Sequence, residues 1–375
     1  MIARISLSFF LLILAANGLT AIPQHIPKSN GLISIWDFGQ LMTVLSEPEG
    51  YFDSDNFVSN EAAYLKVLPG LKRLGVRGGI YLGVGPDQNY SYIAAIKPEM
   101  AILIDIRRQN VLQHLYYKAL FQLSADRLEY LERLFGKRIA IQPASRAQSS
   151  VTELLDLIDR APADSVFSRK AVADACQLIK EWNLGLDSSD YSVIRYIAEA
   201  FIEAGPDLKF TSYGRAPRPQ HPTYRLLLEE TDSRGVQSSF MAQETSFQDV
   251  KRLHHENRII PIVGDLGGLF ALRRTAEELR RRHLQVVCFY VSNVEFYLFG
   301  GSRWNSYVRN IRDLPWAPNG ILIRSYANMW RPHPAQTMGY YMTSVLQLAH
   351  SFLENEGDGK DQTYWDLVTK DYIDR

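Results

Sequence analysis

The stretch "IYLGVGPDQNYSYIAAIKPEMAILIDIRRQN", Ile80 to Asn110, decides the fold. "IYLGVG" is an apolar run ending in a glycine turn, "PDQNYSYIAAIK" has the length of a helix, and "MAILIDI" is a second apolar run that holds an aspartate near its end. Strands that are apolar without alternation are buried on both faces. Two of them joined by a helix form a right-handed parallel βαβ unit. The same grammar returns later as "FQDVKRLHHENRIIPIVGDLGG" (helix, strand, turn), "LFALRRTAEELRRRHLQVVCFYVSNVEFYLF" (helix, strand, a further segment) and "NGILIRSYA" (a late strand). This pattern predicts an α/β fold with a doubly wound, mostly parallel sheet, whose ligands bind at the carboxyl ends of the strands.

Working outward, residues 30–68 form a lead-in. "LISIWDFGQLMTVL" has helical periodicity. The polar loop from Ser46 follows, and Ser59 reads as an N-cap with Asn60, Glu61 and Ala62 opening a helix. Residues 69–375 make the α/β domain. Within it, "QNVLQHLYYKALFQLS" reads as an amphipathic helix, "SADRLEYLERLFG" as a second, and "KRIAIQP" as a short strand. Residues 145–205 carry three helical patterns and no strand, which marks a helical insertion.

The glycine turn and the aspartate form a candidate site. Gly83 and Gly85 let backbone come close to a ligand, Pro86 suits a helix start, and the N–H groups of that helix start are unpaired. Asp105 lies about 20 residues beyond Gly85, the spacing at which a carboxylate accepts hydrogen bonds from a ribose diol. The third glycine of a dinucleotide fingerprint is missing: position 88 is Gln, flanked by Asp87 and Asn89. A pyrophosphate would meet an acid there, so a ligand without phosphates fits better.

In these residues the stretch resembles the first motif and post-motif acid of S-adenosylmethionine-dependent methyltransferases. The resemblance implies a methyltransferase-like Rossmann core. It implies a glycine turn beside the amino-acid part of the cofactor, here Gly83 and Gly85, with Asp87 where a third glycine is usual. It further implies that the acid ending strand two, Asp105, holds the ribose. The place of the family's usual acid before the first glycine is Tyr81. The phrases "SEPEGYFDSDNFVSNE", "YLGVGPDQNY" and "FYVSNVEFYL" also resemble a family of uncharacterised bacterial proteins with such a core. That likeness implies a fold and no activity.

Other polar clusters have two readings each. Asp55, Asn56, Asn60 and Glu61 either fold over the site and bind an amine or hydroxyl of the substrate, or make Asx turns that cap a helix. Asp265 either orients a nucleophile or caps the next helix. Asn293 either hydrogen-bonds an adenine or a substrate amide, or belongs to a turn. Ser292 and Glu295 would share its sheet edge, and Tyr297 would add a stacking face. Asp265, Asn293 and Glu295 are the catalytic candidates. His254, His255 and Glu256 read as a solvated helix end, and Glu277 and Arg281 as an i,i+4 pair on a charged helix face.

The bulk numbers narrow the classes. Lys plus Arg equals Asp plus Glu at 41 each, so no global field draws the 375-residue chain to nucleic acid. Aromatics reach 11%, the mark of a well-filled core more than of a stacking site. The two cysteines, Cys176 and Cys288, build no disulfide framework, and Cys288 sits in an apolar strand as a reduced core thiol. No Cys or His cluster has zinc spacing, the acidic loop lacks an EF-hand's glycine, and no G-x-S-x-G or Walker motif occurs. Residues 1–21 have the three parts of a signal peptide, which predicts export to a periplasm or medium if cleaved and a membrane anchor otherwise. No later stretch is long enough to span a membrane. Two functional readings follow. One is a methyltransferase-like protein binding S-adenosylmethionine or a related nucleoside. The other is a non-catalytic exported envelope protein that binds a small ligand or a protein partner. The leader favours the second, because exported compartments do not ordinarily supply this cofactor.

Overall fold

The computed structural model describes residues 32–140, 148–216, 218–357 and 363–374. The leader expected at 1–21, the end of "KRIAIQP" and the first residues of the expected insertion lie outside them.

Six strands form one sheet: β1 Ile80–Val84, β2 Met100–Asp105, β3 Ile259–Val263, β4 Val286–Ser292, β5 Trp316–Ala327 and β6 Met342–Leu348. Their spatial order is β3-β2-β1-β4-β5-β6. The first five run parallel, and β6 returns antiparallel to β5. The chain is thus α/β with a mostly parallel sheet, as the apolar runs predict. β1 and β3 are buried at every position, and β2 and β4 at all but their last residue. The antiparallel edge strand is new. Its sequence, "MTSVLQL", mixes polar and apolar residues, yet Thr343, Ser344 and Gln347 are all buried.

The lead-in supplies α1 (Ile35–Leu45), capped by Ser34, whose hydroxyl accepts the Asp37 N–H. Ser59 does not cap a helix directly. Its Oγ accepts the Glu61 N–H, and a 3-10 turn starts at Ala62 and runs into α2 (Leu68–Arg73). The crossover from β1 to β2 is α3 (Gln88–Ile96). After β2 comes α4 (Arg108–Leu123), then α5 (Arg127–Phe135). α4 departs from the amphipathic reading: every residue from Asn110 to Phe121 is buried. It packs against β3 and the helices Ser165–Glu181, Ser188–Ala204 and Glu244–His255. Of the polar groups this encloses, Gln113 Nε2, His114 and Lys118 find partners, while among the described residues the Asn110 amide, Gln113 Oε1 and Tyr116 Oη are buried without one. Residues 151–204 contain three helices, Val151–Arg160, Ser165–Glu181 and Ser188–Ala204. The first and third open with capping boxes, Ser150 with Glu153 and Asp187 with Asp190. Ala271–Arg281 packs on α1 and on Trp304–Asp313, which packs in turn on Ala349–Gly357.

Two local expectations change. His254 belongs to no solvated helix end; it is buried against Phe121, ring centroids 4.6 Å apart. Arg281 pairs with Glu278 at 2.8 Å, while Glu277 lies near Arg273. Cys288 is a buried free thiol in β4, and Cys176 is free as well. Among the described residues no helix is long and apolar enough to cross a membrane.

Candidate functional site at the strand ends

Strand order reverses between β1 and β4. At such a switch point the outgoing loops diverge and leave a crevice at the carboxyl ends. Here the crevice is a cavity of about 480 Å³. Gly85 reaches it from the turn after β1, Asp105 from the end of β2 and Asp265 from the turn after β3. Ser292 and Asn293 reach it from the end of β4, and Asn56, Asn60 and Glu61 from the lead-in loop. Residues scattered over more than 230 positions of sequence meet in one place because four strand ends are adjacent.

The glycine turn is built from the inside. Gly85 has φ +80°, a conformation that side chains resist. Gly83 does not face the cavity. A Cβ on it would fall 1.9 Å from Asn89 Oδ1. Asn89 needs that space, because its Nδ2 donates to the carbonyls of Val84, Gly85 and Pro86 and its Oδ1 accepts from Tyr81 Oη. His114 adds a clamp, with Nε2 3.0 Å from the Gly85 carbonyl and Nδ1 2.8 Å from Tyr90 Oη. Burial pulls His114 down to about 4. The ring is therefore neutral: Nε2–H donates to the carbonyl, and Nδ1 accepts from Tyr90. Asp87 also turns away from the cavity. It accepts the hydroxyl of Tyr224, and burial pushes its carboxyl up to about 7 against that hydrogen bond.

Asp105 lies at the cavity wall, held by Arg107. The Arg107 N–H and Nε donate to Oδ1 at 2.9 and 3.0 Å, and Nη2 donates to Oδ2 at 2.8 Å. Arg107 Nη1 donates to the carbonyls of Ser54 and Asp55, so the same guanidinium ties the lead-in loop to the end of β2. Its Cζ lies 5.9 Å from the ring centroid of Phe52, which meets Tyr297 edge-on at 5.8 Å. Both rings line the cavity.

Glu61 forms the floor on the other side of β1. Its carboxyl is fully buried and accepts three hydroxyls: Tyr290 at 2.6 Å, Ser292 and Ser325. Burial raises this carboxyl above its ordinary range, and the three hydroxyls pull it partly back. Ser292 sits at φ +55° and Asn56 at φ +46°. Two left-handed residues other than glycine on one cavity wall are the backbone distortion that functional sites carry.

The remaining candidates divide. Asp265 lines the cavity, with Oδ1 accepting the Gly267 N–H and Oδ2 paired to Arg303. It is not the cap of the next helix. That role falls to Glu47, whose carboxylate accepts the N–H groups of Asp265, Phe270 and Ala271. Asn293 lines the cavity. Glu295 does not: it is buried in an ion pair with Arg324 and accepts Tyr307 Oη at 2.6 Å. Asp55 points outward to Tyr213 at 2.7 Å and Tyr196 at 3.3 Å.

Sequence reasoning missed Arg107, Gln88, Tyr290 and Ser325 as parts of the site. The last two carried a signal: each bears a hydroxyl close to the carboxyl end of its strand.

Residues 56–143 and 144–371 match the family described as a domain of unknown function (DUF7790), and the chain belongs to that family. No curated protein matches the chain.

Proposed function

We propose that this member of the DUF7790 family binds a phosphate-free nucleoside-type ligand at the switch point, with S-adenosylmethionine as its first candidate, and that the fold is methyltransferase-like. One observation carries the reading: Gly85 and Asp105 open on the same cavity, at the spacing a nucleoside site requires. The strand order, with a last strand antiparallel to its neighbour, is compatible with that lineage.

The residues present suit such a ligand. Of the three carboxyls around the cavity, Asp105 is paired with Arg107 and Asp265 with Arg303, while Glu61 has no cation among the described residues, which disfavours a phosphate beside it and favours a cationic group. Asp105 would accept from the ribose, and the Gly85 backbone would pass beside the chain that follows it. Phe52 and Tyr297 offer aromatic faces. S-adenosylmethionine supplies an electrophilic methyl group when bound. Toward a methyl acceptor, Asn293 would orient an amide or amine, and Asp265 would hold a donor hydrogen.

The test is calorimetric titration of the full chain with S-adenosylmethionine, beside Asp105→Ala and Asp105→Asn. Micromolar binding by the wild type, weakened at least tenfold in Asp105→Ala, supports the reading. A folded wild type that takes up no nucleoside overturns it.

A further inference from the structure

The cavity floor contains two buried acceptors with spare capacity, and they are linked. The first is Glu61. A carboxylate has about four lone-pair sites. Tyr290 and Ser325 donate to Oε2 and Ser292 to Oε1, which leaves one site on Oε1. The second is Gln88, 6% exposed, whose Oε1 has no hydrogen-bond partner. Its amide orientation follows from the network. The Tyr290 hydrogen is committed to Glu61, so Tyr290 Oη can only accept from Gln88, and Nε2 must face it, at 3.4 Å. Gln88 Oε1 is thereby left as a bare acceptor. Both residues line the cavity. No cation of the protein pairs with Glu61 among the described residues; its partners are all hydroxyls.

A buried acceptor without a donor is costly, and a buried carboxylate without a cation is costlier still. A site that keeps both at the edge of a cavity is complementary to a group with a positive charge and at least two N–H donors. We propose that Glu61 and Gln88 form a subsite for a primary ammonium, so the natural ligand of this cavity is an amine-bearing small molecule. Ser292 and Ser325 hold the carboxyl in place, and Tyr290 couples the two acceptors. The subsite lies above β4 and β5, while Asp105 lies at the end of β2, with β1 between them. The ammonium therefore sits on the opposite side of the switch point from the ribose acid. This inference deepens the nucleoside reading and rests on the cavity being a small-ligand site.

The test uses pairs of probes that differ only in the ammonium, titrated into the full chain by calorimetry and by ligand-detected NMR. The pairs are S-adenosylhomocysteine against its desamino analogue S-(3-carboxypropyl)-5′-thioadenosine, L-methionine against 4-(methylthio)butanoate, and n-butylammonium against n-butanol. The ammonium member of at least one pair should bind better by tenfold or more. That preference should vanish in Glu61→Gln and shrink in Gln88→Leu, with both variants shown folded by circular dichroism. Gln88→Leu keeps the inference testable should Glu61→Gln fail to fold. Loss of nucleoside binding with the amine preference intact would remove the nucleoside reading and leave the subsite standing. Equal binding of both members in every pair, or a preference that survives both variants, overturns the subsite.

Discussion

Arg107 occupies three of the four acceptor sites of Asp105. Its main-chain N–H and Nε fill both sites of Oδ1, and Nη2 fills one of Oδ2. The aspartate therefore has one acceptor site left for a ligand's donor, where the spacing rule anticipates two. For a ribose this means that one hydroxyl is read and the other is not. Of the 2′-deoxy and 3′-deoxy forms of the nucleoside, one should lose about ten- to a hundredfold in affinity, the worth of a hydrogen bond to a charged group, and the other should bind within about twofold of the parent. Calorimetry on the two analogues checks this; equal losses would show that Arg107 lets go of Asp105 when the ligand enters.

The same pair is mechanical. Arg107 is nearly buried and bridges Asp105 to the carbonyls of Ser54 and Asp55. Arg107→Ala leaves the carboxylate without its cation and two loop carbonyls without donors. It should cost about 3–5 kcal/mol in urea unfolding, the range for breaking a buried pair from one side. Asp105→Ala with Arg107→Ala together should cost less than the sum of the singles, by about 1–3 kcal/mol. Additive losses would mean that the two side chains do not hold each other.

The parallel sheet was legible because "IYLGV", "MAILI" and "IIPIV" are runs without charge or polar alternation, and strands covered on both faces are written that way. Gly85, Asp105, Asn56, Glu61 and Asn293 were legible as residues that line the cavity because each stands at or near a strand end or on the polar loop beside one. Glu295 stood at such an end too, and was misleading. Which side of the short helix Val294–Leu298 it faces is set by Arg324 on β5, a contact that no local pattern records. Gly83 and Asp87 were read as ligand contacts because the motif says so, but Asn89 and Tyr224 claim them from inside. β6 was invisible because "MTSVLQL" has neither an apolar run nor a clean alternation. Its polar residues are buried against partners brought by β5 and by the chain's end, such as Lys370, whose carbonyl accepts from Gln347.

Asp87 makes stability depend on pH in a stated direction. Burial raises its carboxyl from 3.8 to about 7. The folded protein keeps this proton where the unfolded chain has given it up. The stability it contributes is complete below pH 3.8 and is lost as pH rises from there to about 7. Asp87→Asn keeps a partner for Tyr224 and cannot ionise. Its stability relative to wild type should therefore grow between pH 5 and pH 8, by on the order of 2 kcal/mol. Denaturant titrations of both proteins at the two pH values measure the difference directly. A constant difference would show that the Asp87 carboxyl does not titrate in this window.

His254 tests what an unpaired group costs. Both its ring nitrogens are buried without a hydrogen-bond partner, between Phe121 and the edge of Tyr90. Burial, followed by the nearby Lys118, His114 and His255, holds it well below 6.5, so the imidazole is neutral in the fold. It then buries one N–H and one lone pair for nothing, a cost of about 1–3 kcal/mol, offset by about 0.5–1.5 kcal/mol of ring contact. Leucine has a similar size and none of this cost, so His254→Leu should stabilise by roughly 1 kcal/mol at pH 8. The unfolded chain protonates this histidine below 6.5 while the folded one does not, so wild-type stability falls as pH drops through that value. The gain from leucine should then be larger at pH 5 than at pH 8. Urea unfolding at the two pH values separates the contributions. A loss of stability at pH 8 would mean that the stacking outweighs the buried polar atoms, and an equal gain at both would mean that His254 is protonated alike in the folded and unfolded chain.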